Sequence, residues 1–133
     1  MADASEGEDE ITGYWVKNDY EKLRALNIDI GRAETQGDKR FFKTLLARHF
    51  AMRRANGELR GRRGFIAAMK RSDERVTEIQ SVTFFEANRA LVNCVVTMET
   101  ADGTMRFHNA RLFIRPLPNK DWQLLAWANE PIS

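Results

Sequence analysis

The stretch "MRFHNARLFIRPLPNKDWQLLAWANEP", residues 105–131, decides the fold. Its first part alternates. Met105, Phe107, Asn109, Arg111 and Phe113 fall on one side of an extended chain, and Arg106, His108, Ala110, Leu112 and Ile114 on the other. "PLPNKD" then breaks the pattern, and a second run begins at 121 and continues to 129. Pro131 ends it by removing a backbone donor. Two strands joined by so short a link must be antiparallel neighbours.

Working backwards, runs at about 77–86, 89–100 and 104–115 are separated by "EANR" and "ADG", so the C-terminal half reads as a four-stranded antiparallel meander. The N-terminal half has helical spacing instead. Asn18 with Glu21 has the form of a capping box and predicts a helix start, after which Leu23, Leu26, Ile30 and Ala33 recur until Gly37 stops the helix. Asp38 caps a second predicted helix, "KRFFKTLLA". Asn56-Gly57 predicts a tight type I′ hairpin, and "RRGFIAAMKRS" a third helix. The expected architecture is α+β: a curved antiparallel sheet, a half-barrel, covered on one face by three helices. Helices that meet such a sheet at its base leave a cavity at its open end.

Composition narrows the class. With 133 residues, 43% hydrophobic and 30% charged, the chain suits one globular domain. Residues 1–13 hold five acids and no base and are expected to form a flexible acidic tail, leaving 14–133 as the single domain. No apolar run approaches the roughly 20 residues of a membrane span, and the N-terminus has no secretory pattern, so a cytoplasmic protein without membrane association is expected. One cysteine, Cys94, and two histidines give no basis for a disulfide framework, a metal site or a cofactor. Cys94 itself alternates with Ala90, Val92, Val96 and Met98 and reads as an inert core thiol. Twelve Lys or Arg between Lys39 and Arg75 face only three acids, an excess that suits a solvated face or an acidic ligand. No aromatic platform or reading motif accompanies it, and nucleic acid is not expected as a partner.

Two segments, "AETQGDKRFFKTLLARHFAMRRANGELRGRRGFIAAM" at 33–69 and "HNARLFIRPLPNKDWQLLAWANEP" at 108–131, resemble the nuclear-transport-factor-2-like (NTF2-like) superfamily, particularly its SnoaL-like and DUF4440-type small bacterial proteins. The marks are the Ala-Glu-x-x-x-Asp helix junction, the Asn-Gly hairpin with a Gly-led helix after it, and Arg-x-Phe-x-Arg before a Trp-x-Leu strand. The resemblance implies a cone-shaped α+β barrel and a homodimer, with activities that range from isomerases, cyclases and dehydratases to no catalysis. Two departures stand out. Arg48 and His49 replace acids common before the first strand, and Arg53 or Arg54 stands where the ketosteroid-isomerase-like branch has its carboxylate base. A guanidinium cannot act as that base.

Candidate site residues follow. Eleven helical steps return Glu34 to within roughly 20° of Leu23, on the apolar stripe, as a pocket acid or one half of a structural ion pair. His49, expected at the end of the second helix, is either a proton carrier or a partly exposed capping residue. Phe107, Asn109 and Arg111 place an amide and a guanidinium among apolar groups, the composition of a binding cavity, unless Arg111 is paired with a carboxylate such as Glu34. Trp127 and Asn129 share a face near the rim, Trp127 either stacking on a ligand or closing the core. Arg53 completes the set. The leading expectation is a protein that binds a small hydrophobic or acidic ligand, with no reaction assigned. An enzyme using Glu34 or His49, and an interaction module using an outer sheet face with Leu91, Val95 and Trp122, are the alternatives.

Overall fold

The computed structural model describes the backbone of residues 9–132 and the side chains of residues 18–132. Three helices precede or interrupt a six-stranded sheet: α1 (Asp9–Gln36), α2 (Lys39–Leu45), β1 (Leu46–Arg53), β2 (Leu59–Gly61), α3 (Arg62–Ala68), β3 (Arg75–Glu86), β4 (Arg89–Thr100), β5 (Gly103–Ile114) and β6 (Gln123–Ile132). The sheet order is β2-β1-β6-β5-β4-β3. β3 to β6 form the antiparallel meander expected from the short links, and β1 pairs in parallel with β6. The sheet is therefore mixed and open, an α+β cone. Among the described residues no helix is long and apolar enough to cross a membrane.

Helix α1 starts earlier than its capping box suggested. Asn18 is an exposed residue inside the helix, which already includes Asp9 to Gly13 of the expected tail; residues 1–8 of that tail lie outside the described residues. The chain upstream of Asn18 is itself helical, so no free amide end remains there for Asn18 to cap. The stop at Gly37 is as read. Gly37 has φ +66°, its N–H donates to Glu34 O, and Asp38 N–H donates to Ala33 O at 2.9 Å, which together make a Schellman end. A Cβ on Gly37 would lie 2.8 Å from backbone atoms of Lys70 and Arg71, so the position also needs glycine for space. Asp38 Oδ1 then accepts from Phe41 N–H and opens α2.

The Asn56-Gly57 hairpin forms, but not as a two-residue turn. Gly57 N–H donates to Arg54 O and Arg54 N–H to Glu58 O, so the loop holds three residues and Gly57, at φ +90°, occupies its left-handed end. The Asn56 side chain accepts from Glu58 N–H and fixes the bend.

Two buried arginines on β5 and beyond its end tie the long helix to the sheet. Arg111 donates to Asn27 Oδ1 at 3.0 Å, and Arg115 makes a bidentate pair with Asp19 at 2.8 and 2.7 Å. Eight helical residues separate Asp19 from Asn27, about 12 Å of rise, and four extended residues separate Arg111 from Arg115, about 13–14 Å. The two ladders match, so α1 runs antiparallel to β5 with a polar rung at each end of an apolar stripe. Leu23, between the rungs, and Ile30 and Ala33 beyond Asn27 are fully buried against Phe42, Val92 and Phe113. Nearer its end the helix passes over β3, where a Cβ on Gly31 would fall 2.9 Å from the Thr77 hydroxyl.

Strand β6 departs from simple alternation. Leu112 pairs with Ala126 and Phe113 with Leu124, which leaves Leu125 as a bulge. Leu124 and Trp127 consequently both face the core, at 0% and 2% exposure, where strict alternation had set them on opposite faces. Trp122 is a further correction. Expected on an outer face, it is 6% exposed and lies beneath the Arg115 guanidinium, 3.9 Å from the ring centre.

Candidate functional site

The inner face of β5 is the one read from the sequence: Asn109, Arg111 and Phe113 are buried, and Phe107 is half-buried. Beside it opens a cavity of about 450 Å³. Its walls come from the end of α1, from α3 and the segment after it, from the β1–β2 hairpin, and from the inner faces of β4, β5 and β6. Phe65 and Phe107 line it together with Met52, Met69, Met98 and Met105. Met98 and Met105 are direct cross-strand partners. Unbranched thioethers make such walls adaptable in shape. The polar lining is basic: Arg54, Arg60, Lys70 and Arg75 accompany a single acid, Glu34.

The candidate residues separate into three groups. Glu34, Phe107, Asn109 and Asn129 line the cavity. Arg111 and Trp127 point to the same side of the sheet but lie beneath the cavity, at 0% and 2% exposure, and neither lines it. The reading of both as groups open to a ligand is corrected here. Arg111 is covered by Asn27, Asn109 and the Trp127 ring, whose centre is 4.4 Å from the guanidinium carbon. His49 and Arg53 form the third group. His49 lies on β1, after α2 has ended at Leu45, and both side chains are exposed and absent from the cavity lining. Between them Phe50 and Met52 take the inward positions, so strand alternation turns His49 and Arg53 outward. Arg54, one residue on, does reach the cavity, with its guanidinium 2.6 Å from Glu58.

A hydrogen-bond network forms the cavity floor. Asn109 Oδ1 accepts from Arg111 Nη2 at 2.8 Å and from Trp127 Nε1 at 2.7 Å, and its Nδ2 faces Asn129 Oδ1 at 3.4 Å. Asn27 accepts from Arg111 and donates to Leu23 O at 2.7 Å. Arg111 has no carboxylate within ion-pairing distance among the described residues, and its Nε is buried without a partner. Burial lowers its pKa, with Cys94 and Glu34 opposing the fall. A guanidinium starts high enough to remain charged. The floor is thus a buried cation screened from the cavity by one amide. Cys94 is buried beside it in the sheet, and burial raises its pKa, in keeping with an unreactive thiol.

Glu34 is paired, though not with Arg111. Its Oε1 is 3.4 Å from Arg75 Nη1, and Arg75 also binds the Ser72 hydroxyl and Asp73 O. Burial raises the Glu34 pKa, and the charges of Arg75 and Arg111 offset part of that rise; the side chain keeps 17% exposure, so some hydration remains. The sign of the pH effect follows. A carboxyl with a folded pKa above its unfolded one favours folding when protonated, and this contribution is lost as pH rises through the unfolded value of 4.5 toward the folded pKa. Glu34→Gln should therefore gain stability relative to the parent as pH rises above the unfolded value of 4.5, read from urea midpoints. A relative loss on that rise in pH would show that the Arg75 pair outweighs burial.

Arg75 and Asn27 are the site residues that sequence reasoning missed. Arg75 begins β3, two residues before the expected start, and so was not read as part of a strand face. Asn27 carried a usable signal: four residues after Leu23 and three before Ile30, it lies on the apolar stripe of α1.

Similarity to proteins of known structure supports the same architecture. An NTF2-like protein of unknown function from Silicibacter pomeroyi superposes with a TM-score of 0.69 at 22% identity, over 88% of this chain and 98% of that one. The fold is NTF2-like. A domain of unknown function with a cystatin-like fold from Nostoc punctiforme matches this NTF2-like chain at TM-score 0.73 and 16% identity, over 87% and 78% of the two chains. The S. rosetta CaMKII hub matches it at 0.64 and 18%, over 83% and 94%. No protein-family model and no curated protein matches the sequence. At these identities the likeness extends to the NTF2-like fold and leaves the activity to be argued from the site.

Proposed function

We propose that this chain is a SnoaL-like small-molecule-binding protein whose ligand occupies the cavity beside β5. The observation that carries the reading is the cavity itself. At about 450 Å³ it lies within the range of ligand pockets, which begins at roughly 300 Å³. Its methionine and phenylalanine walls favour an apolar body, and the basic lining favours an acidic group. Asn109 and Asn129 supply the few fixed polar contacts that orient a ligand in such a site. No reaction is part of this reading. His49 lies outside the cavity and Arg111 is sealed, which removes two of the groups that a proton-transfer mechanism with an oxyanion would use.

Self-association belongs to the same proposal. The outer sheet face offers Leu91 opposite Leu112 and Asn93 opposite Ala110, a largely uncharged surface, and a CaMKII hub is among the proteins that share the fold. Native mass spectrometry of freshly purified protein tests both parts together. The expected spectrum is a dimer that sheds a small molecule on activation. An empty monomer, with no stabilisation by any member of a small-molecule library, would count against the reading.

A further inference from the structure

Asn109 can present only one end of its amide to the cavity. Its oxygen is held by Arg111 Nη2 at 2.8 Å and Trp127 Nε1 at 2.7 Å, and neither a guanidinium nor an indole N–H can accept a hydrogen bond. Exchanging the amide's two ends would set N–H against N–H twice in a buried site. The orientation is therefore chemically fixed, and the two Nδ2 hydrogens are the group left for the cavity side. One makes a long contact of 3.4 Å to Asn129 Oδ1, and Asn129 itself lines the cavity. No other partner of Nδ2 is found among the described residues.

The charge behind this amide has no ion-paired counterpart among the described residues. Arg111 donates to two amide oxygens, and Glu34, the carboxylate whose charge acts on it, is ion-paired to Arg75. A guanidinium bonded to the amide oxygen polarises the amide and makes its N–H groups stronger donors. Elsewhere in the lining Arg54, Arg60, Lys70 and Arg75 add positive charge, and Glu34 is the single acid there. Floor and lining therefore both favour an anion, and the floor adds an amide donor whose orientation is fixed.

We infer that Asn109 is the specificity-determining residue of the cavity, selecting an organic carboxylate whose oxygens accept from Asn109 Nδ2 while its apolar body lies against Met52, Met98, Met105 and Phe107. This inference rests on the binding function proposed above and names its ligand class. Arg111 acts here as a positioning residue: it does not touch the ligand, and it fixes and polarises the amide that does.

Asn109→Asp is the informative variant. An aspartate still accepts from Arg111 and Trp127, gives Arg111 a direct ion pair, and so keeps the core network, while it offers the cavity an acceptor in place of a donor. The probes are 4-phenylbutyrate and its neutral analogue 4-phenylbutan-1-ol, titrated by calorimetry at matched ionic strength into both proteins, with thermal melts confirming that both are folded. The parent should bind the carboxylate about tenfold or more tighter than the alcohol, and Asn109→Asp should lose about that factor for the carboxylate alone. Equal affinity of the parent for both probes, or unchanged carboxylate affinity in Asn109→Asp, overturns the inference and leaves the cavity a binding site. Absence of binding by either probe to the parent also overturns it, and the binding function then depends on the native mass spectrum. Should Asn109→Asp fail to fold, Asn109→Ala under the same titration decides the matter: a lowered carboxylate-to-alcohol ratio supports the inference and an unchanged ratio overturns it.

Discussion

Asp19→Ala should destabilise the protein by about 3–5 kcal/mol, enough to remove much of the ~5–15 kcal/mol available to a domain of this size. Asp19 and Arg115 side chains are 5% and 1% exposed, and they form two parallel hydrogen bonds of 2.8 and 2.7 Å. Removing the carboxylate leaves a guanidinium inside the fold, bonded to Ala87 O and stacked on Trp122, with its charge uncompensated by that partner. Water cannot replace the lost partner without opening the contact between α1 and the sheet. The cost is that of taking the carboxylate from a buried guanidinium rather than the net worth of the pair, and a second substitution distinguishes the two. Asp19→Leu with Arg115→Met should recover a large part of the loss, because two apolar groups need no partners. Urea denaturation followed by circular dichroism measures Asp19→Ala and the four corners of the cycle: the parent, Asp19→Leu, Arg115→Met and the double variant. A loss below about 1 kcal/mol for Asp19→Ala would mean that the pair is hydrated in solution.

Trp127→Ala is the other large effect, expected at about 3–5 kcal/mol. The ring is 2% exposed, packs on Phe65 at 5.7 Å between centres, and lies under Arg111 at 4.4 Å. Alanine leaves a void beneath the cavity floor, takes the aromatic face from a buried cation, and withdraws one of two donors from Asn109 Oδ1. Trp127→Phe keeps the first two interactions in part and loses the N–H, so its cost should be smaller, about 1–3 kcal/mol. The two variants compared by the same denaturation experiment separate packing from hydrogen bonding. Similar costs for Ala and Phe would place the energy in the indole N–H and not in the ring.

Local reading was most reliable where a residue's preference is settled within one turn or one strand. Gly37 stops a helix because a left-handed residue is needed there, and Asp38 starts the next because its carboxylate reaches Phe41 N–H. The division of the β4 and β5 side chains between two faces follows from the period of two of an extended strand. It failed where a local signal had a distant competitor. Asn18 and Glu21 have the residue types of a cap, but the preceding residues are also helical, and the neighbouring Asp19 is held by Arg115, 96 positions away. The parallel pairing of β1 with β6 could not be read from either strand, because it joins segments some seventy residues apart.

For the site, the sequence alone settled which side chains go together: Asn109 and Arg111 had to share a face with Phe107 and Phe113, since successive side chains on a strand point opposite ways. Only the tertiary structure decided depth. Whether an inward side chain ends in a cavity or under it depends on what is packed over it, and for Arg111 that is Asn27 from α1 and Trp127 from a strand shifted by a bulge. Such contacts arise from elements brought together by the apolar stripe of the helix and the register of the sheet, and no spacing along the chain encodes them.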